Sequence, residues 1–312
     1  MKIIFMGTPE FACVVFEQLC EKYEIVAVCT QPDKPVGRKQ ILTPPPMKLA
    51  ALARGIPVLQ PQKLDSSVSE KLAQLGAEAI IVVAYGKILP ESILHIAPCI
   101  NVHASILPAY RGASPIQQMI LSDDEEFGVS IMRMDSGLDS GDILGVARIP
   151  RSSHAAHATT AMLGQMLAQL GAHKLIEVLE NLDTITPIPQ DHTKATYCKK
   201  ICKNDGLVCF DNAKNIYKKW LAFSQWPGVF LASGIKLFGI RVVPESSPKS
   251  SATCPTTSTS VRAGEILSVK PCVIACEEGA LQIDELQAPS RNRMDASAFL
   301  LSQQKRVGDV LC

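Results

Sequence analysis

The 312-residue chain predicts an α/β fold, a doubly wound and mostly parallel sheet followed by a small β-barrel or sandwich. Two observations point there. Near-continuous Val/Ile-rich runs alternate with segments of helical spacing through the first half, which marks a parallel sheet covered on both faces. Short strand patterns separated by turn residues then crowd the last third, as in small barrels and sandwiches.

In chain order, strands are expected at 2–6 (KIIFM), 24–30, 79–84 and 99–104, with helices over 9–21, 45–54 and 66–76. Thr8 is placed to cap the first helix, with Pro9 at its first position and Glu10 at the positive end of its dipole. The junction "MGTPEF" lacks the further glycines, or the Gly-Lys-Ser/Thr ending, of a phosphate-binding loop. Strands at 128–134 and 142–149 lead to a helix from about Thr159 to Asn181, whose apolar stripe is Leu163, Leu167, Leu170, Leu175, Val178 and Leu179. That helix closes a first domain, 1–183. The polar stretch that follows, 184–204, reads as a linker because Pro187 and Pro189 interrupt any helix. In the second domain, 205–312, strand candidates are GLVCF, GIKLFGIRVV, AGEILSV, CVIAC and ALQIDEL, with one helix near 212–222. The Ser/Thr/Pro tract at 244–260 reads as a surface loop.

Composition narrows the classes. With 47% hydrophobic and 20% charged residues, the chain is an ordinary globular protein. No apolar run approaches the ~20 residues of a membrane span. The opening residues lack the apolar region and cleavage site of a signal peptide, so a cytoplasmic protein is expected. Eleven cysteines are scattered, many inside apolar runs, and read as reduced buried thiols. Cys198, Cys202 and Cys209 lack the paired spacing of a zinc site, and no metal is expected. Residues 1–198 carry 16 Lys and Arg against 20 Asp and Glu, whereas 199–312 carry 15 against 10. The basic excess in the last third could meet a polyanion, although an offset of this size also fits a solvated face.

The stretch "NVHASILPAYRG", 101–112, carries the chemistry. Residues i and i+2 of a strand face the same side, so Asn101 and His103 project together just before Pro108 breaks the strand. A second loop, "MDSGLDSGD" at 134–142, offers Asp135, Asp139 and Asp142. An amide and an imidazole can donate to a developing oxyanion while a carboxylate orients the imidazole. No nucleophilic Ser or Cys motif accompanies them, which favours direct transfer to an external nucleophile over a covalent enzyme intermediate. The same spacing also fits an ordinary core strand with a polar tail.

Several long motifs in order, "IIFMGTPEFA", "TQPDKPVGRKQILTPPPMKLA", "VVAYGKILP", "INVHASILPAYRGASPIQ" and "GVSIMRMDSGLDSGDIL", resemble the methionyl-tRNA formyltransferases of the folate-dependent formyltransferase family. The resemblance continues more weakly through "YCKKICKNDGLVCFD", "FSQWPG" and "LQIDELQAPSRNRM". It implies a Rossmann-like catalytic domain, a small OB-like β-barrel that binds tRNA, and transfer of a formyl group from 10-formyltetrahydrofolate to methionyl initiator tRNA; a monomer is expected. The family's catalytic Asn, His and Asp fall on Asn101, His103 and Asp139. Its folate-binding segments fall on Ser105, Ile106, Leu107 and Pro108 and on Gly86, Lys87, Ile88 and Leu89. The insertion at 31–46, with Lys34, Arg38 and Lys39, matches the segment that enters the acceptor stem, and its composition suits phosphates. A tight cofactor turn would make Leu107–Pro108 a cis peptide. Formylation of an amino sugar, or a silent nucleic-acid-binding relative, remains open on sequence alone.

Overall fold

A computed structural model describes residues 1–37, 39–152, 154–244 and 262–311. Arg38 and the loop expected at 244–260, save Pro244, lie outside the described residues. The chain divides into two units: residues 1–119, 124–156 and 162–200 form one, and 120–123, 157–161 and 201–312 form the other.

The first unit is built on seven strands. They are β1 (Lys2–Gly7), β2 (Glu24–Cys29), β5 (Val58–Leu59), β6 (Ala79–Val83), β7 (Cys99–His103), β9 (Glu126–Arg133) and β10 (Ile143–Pro150). Short pairs β3 (Lys34–Val36) with β4 (Ile41–Thr43), and β8 (Arg111–Gly112) with β11 (Tyr197–Cys198), lie apart from them. The sheet order is β10-β9-β7-β6-β1-β2-β5; β5, β2, β1, β6 and β7 pair in parallel, and β9 runs antiparallel to both its neighbours, β7 and β10. A mostly parallel sheet is the expectation from the uninterrupted Val/Ile runs, and these strands are buried on both faces.

Alternation explains the layers. Ile3, Phe5, Ile81, Val83, Ile100 and Val102 join one apolar cluster with helices α1 (Glu10–Leu19), α2 (Pro46–Ala53) and α6 (Thr160–Glu180). Ile4, Met6, Ile80, Val82 and Cys99 join a second cluster on the opposite face, beside α3 (Ser66–Ala73) and α4 (Glu91–Leu94). Of the stripe expected on α6, Leu163, Leu167, Leu175, Val178 and Leu179 are buried and Leu170 is half-buried. Gly171 lets α6 approach closely, since a Cβ there would stand 2.8 Å from Val102 Cγ1. Helix α5 (Pro115–Leu121) follows the β8 turn.

The second unit is antiparallel and strand-rich. Strands β12 (Val229–Phe230), β13 (Lys236–Val242), β14 (Ile266–Ser268), β15 (Val273–Ala275), β16 (Ala280–Gln287) and β17 (Met294–Asp295) run in the order β12-β13-β16-β15-β14, with β17 also on β16. Helices α7 (Ala213–Ala222) and α8 (Ala296–Ser302) contribute Ile216, Phe299 and Leu300 to its core. Both helices begin at a side-chain cap, Asn212 accepting from the N–H of Asn215 and Asp295 from that of Ala298.

Three expectations need correction. Thr8 does not cap α1: Pro9 occupies the cap, its carbonyl accepting from Ala12 N and Cys13 N, and the Thr8 hydroxyl donates instead to the Tyr85 carbonyl at 3.0 Å. GLVCF forms no strand, only an isolated bridge from Leu207 to Phe230. Residues 184–200 cluster with the first unit, because Tyr197–Cys198 pairs with β8 and Ile188 exchanges two backbone bonds with Ile143.

All nine described cysteines are free. Burial pushes the thiols of Cys29, Cys99, Cys272 and Cys276 up to about 12, while Cys202 and Cys209 are exposed. Thiolates are the reactive species. Iodoacetamide at pH 8 is therefore expected to label Cys202 and Cys209 in the folded protein and to spare those four until denaturant is added. Peptide mass mapping reads the result, and prompt labelling of Cys29 in the folded chain would contradict it. Among the described residues, no helix is long and apolar enough to cross a membrane.

Candidate active site

Because Ile100 and Val102 face the α1/α6 cluster, Asn101 and His103 face the other way, on the side of Cys99. Both are nearly buried, at 8% and 6% exposure, where β7 reaches its carboxyl end. Ligands of open α/β sheets gather beyond this edge. The antiparallel neighbour β9 sets Asn101 opposite Met132 and His103 opposite Ser130.

Asp139 arrives from the β9–β10 turn. Its Oδ1 stands 3.4 Å from Asn101 Nδ2, and its Oδ2 stands 3.7 Å from His103 Nδ1. The N–H of Gly112 donates to Oδ2 at 2.8 Å. Of the three acids in this turn, only Asp139 meets the strand residues. Asp135 accepts from Gly137 N and Ser140 Oγ within its own loop, and Asp142 accepts through its carbonyl from Arg133 N. His103 Nε2 lies 3.0 Å from the Tyr110 carbonyl. A carbonyl only accepts, so Nε2 carries a proton, and Nδ1 is the nitrogen that faces the carboxylate.

The loop after β7 is tied by hydrogen bonds. Ser105 Oγ donates to the Ala109 carbonyl at 2.6 Å, and Ser130 Oγ both donates to the Ser105 carbonyl and accepts from Leu107 N. Leu107–Pro108 is cis, as the sequence suggested. Ile106 lies over Gly128, where a Cβ would stand 2.6 Å from Ile106 Cγ1, and Leu107 is buried with Met132 and Ile143. The loop after the adjacent strand β6 carries the other expected segment. Gly86 adopts a φ of 80°, Leu89 packs in the second apolar cluster, and Ile88 is 83% exposed. Lys87 commits its ammonium to the carbonyls of Pro61 and Gln62. Burial, and then the charge of Lys34, lower its pKa.

The insertion at 31–46 is a hairpin, β3 with β4, and all six of its strand residues are exposed. Lys34 lies in β3 and Lys39 in the connecting turn. At its base, Lys48 donates to both oxygens of Asp33 at 2.9 and 2.8 Å, and Gln60 donates to Asp33 Oδ1 at 2.7 Å. These bonds hold the Asp33 carboxyl below its usual pKa.

Sequence reasoning missed Gly112 and Gln190, which bond Asp139, and Arg111, which bonds Gln190. Gly112 had a readable signal as a glycine in a turn, but Gln190 sits in a polar stretch with no periodicity.

The family described as "Formyl transferase" matches residues 1–179, and that described as "Formyl transferase, C-terminal domain" matches 200–304. A methionyl-tRNA formyltransferase of Helicobacter acinonychis is 44% identical over 319 residues, spanning 100% of both chains. The chain belongs to the formyl transferase family, and to the methionyl-tRNA formyltransferases within it. Two solved structures share the fold. A methionyl-tRNA formyltransferase from Clostridium thermocellum has a TM-score of 0.56 at 18% identity, covering 78% of this chain and 94% of that one. HypX from Aquifex aeolicus, in complex with tetrahydrofolic acid, has a TM-score of 0.64 at 16% identity; it is matched over 100% of this chain, which spans 49% of HypX.

Gly112 has a φ of 115°, and a Cβ there would stand 2.4 Å from the Cys198 carbonyl oxygen. Gly112→Ala is expected to cost about 1–3 kcal/mol through strain alone, and more through loss of the β8–β11 pairing. A urea titration measures it, and an unchanged midpoint would show that β11 can yield.

Proposed function

We propose that this chain transfers the formyl group of 10-formyltetrahydrofolate to the free α-amino group of methionyl initiator tRNA, acting in the cytoplasm as a monomer. The observation that carries the chemistry is the convergence of Asn101 Nδ2 and His103 Nδ1 on the Asp139 carboxylate, at 3.4 and 3.7 Å. Both gaps exceed the roughly 2.7–2.9 Å of a strong charge-assisted hydrogen bond. Each donor thus keeps capacity for a formyl oxygen that enters between them.

In this reading Asn101 and a His103 protonated at Nδ1 donate to that oxygen as it takes up negative charge. The neutral amine attacks the formyl carbon, and Asp139, which stabilises the imidazolium, receives the proton that the nitrogen then sheds; collapse of the tetrahedral intermediate breaks the bond from that carbon to N10, and tetrahydrofolate leaves with a proton returned to N10. The acceptor's unperturbed pKa of about 7.7–8.0 leaves an appreciable neutral fraction near pH 7, so no strong base is required. The scheme calls on no metal ion.

The loops leaving β6 and β7 fit a flat heteroaromatic donor. They offer the exposed Ile88, Ile106, the ring of Pro108 and the main chain at Gly86, while the Lys87 ammonium is turned to the Pro61 and Gln62 carbonyls. Support for a folate comes from the fold neighbour solved with tetrahydrofolic acid. The choice of acceptor rests on the full-length similarity to methionyl-tRNA formyltransferases. Lys34 and Lys39 on the exposed hairpin, with Arg38 between them, suit contacts to the phosphates of the acceptor stem.

Single-turnover formylation of methionyl-tRNA tests the reading. Asn101→Ala and His103→Ala are each expected to slow it by about 10²–10³-fold. Near-normal rates in either variant would remove that residue from the mechanism, and a preference for an amino sugar over methionyl-tRNA would overturn the acceptor. Lys34→Ala combined with Lys39→Ala is expected to weaken tRNA binding and to flatten the log-log salt dependence by between one and two units. An unchanged salt slope would place the phosphates elsewhere.

A further inference from the structure

We infer that Gln190 is a positioning residue for Asp139, with Arg111 setting which way round its amide sits. The inference rests on the formyl transfer proposed above. Gln190 is buried, and its Nε2 donates to the main-chain carbonyls of Asp139 at 3.0 Å and Gly141 at 2.6 Å. Its Oε1 accepts from Arg111 Nε at 3.1 Å and Nη2 at 2.6 Å. A guanidinium can only donate, so it draws the oxygen of the amide towards itself and leaves both amide hydrogens for the turn.

Asp139 needs such a hold. Its φ of 49° lies in the left-handed region, which is costly for a residue with a side chain and persists where the surroundings over-determine it. The two grips come from opposite sides. Gly112, next in the chain to Arg111, fixes the carboxylate, while Gln190 fixes the peptide carbonyl of the same residue.

Arg111 is itself 2% exposed. Among the described residues no carboxylate pairs with it; its other partners are His192 Nδ1 at 3.2 Å and the Tyr197 hydroxyl at 3.5 Å. A buried cation held by neutral acceptors is a poor device for stability. As the group that orients a glutamine against the backbone of the turn that carries Asp139, it has a purpose.

Glutamate at position 190 separates positioning from packing. It has nearly the same shape and would form an ion pair with Arg111, yet when ionised it has no hydrogen to offer the turn. Gln190→Glu is expected to remain folded with a KM for 10-formyltetrahydrofolate within about threefold of the parent, while kcat for methionyl-tRNA falls by about 10–100-fold. Gln190→Leu, lacking both donor and acceptor, should lose kcat likewise and serves if the glutamate variant fails to fold. Asp139→Asn supplies the reference, and the double variant Gln190→Glu with Asp139→Asn should be no slower than Asp139→Asn alone. Retention of kcat by either Gln190 variant, or losses that multiply in the double variant, would overturn the inference. If Asp139→Asn itself kept full activity, the proposed role of Asp139 would fall, whatever position 190 does.

Discussion

A side chain in a strand can face only one of two ways, and that choice on β7 governs the site. Ile100 and Val102 are drawn into the cluster with α1 and α6, so Asn101 and His103 must face the opposite side. A slip of one residue would exchange the sets and put two polar groups into the largest core of the unit. Burial of apolar surface therefore enforces the register that aligns the amide with the imidazole. Gly171 contributes from the helix side by letting α6 press on Val102.

Strands supply direction, but the loops at their ends supply proximity. Left-handed backbone gathers there: Ala84 and Gly86 after β6, Tyr110 and Gly112 after β7, Asp139 after β9. Such conformations persist where hydrogen bonds over-determine them. Thr8 and Gln31 both donate to the Tyr85 carbonyl, Thr196 holds the N–H of Tyr110, and Cys198 and Lys199 tie down Ser114. The segment 184–200 thus completes the site from a distance in sequence.

This explains what could be read beforehand. The doubly wound sheet was legible because a two-residue period and a 3.6-residue period differ plainly in runs such as AIIVV and in the long α6 pattern. The pairing of Asn101 with His103 was legible for the same reason. Which acid of the "DSGLDSGD" loop would meet them was not written in the spacing, and only motif similarity favoured Asp139. Gln190 was invisible because its partners are main-chain carbonyls and an arginine some 79 positions away in sequence. The strand expected at GLVCF failed because its pairing is the single bridge from Leu207 to Phe230, closed by Val208 N on the Phe230 carbonyl, and the ladder stops there. The expected cap at Thr8 failed by one position, since proline took the cap and the hydroxyl found a stronger claim in the Tyr85 carbonyl.

The β3–β4 ribbon has a different character from everything around Asn101. None of its six strand residues lies over an apolar layer, and it is moored at its foot by the Asp33–Lys48 pair and Gln60. Length and sequence can consequently drift in the ribbon without moving Asn101, His103 or Asp139 at the sheet edge. A ribbon so placed is at liberty to vary in what it touches while the architecture beneath it keeps its shape.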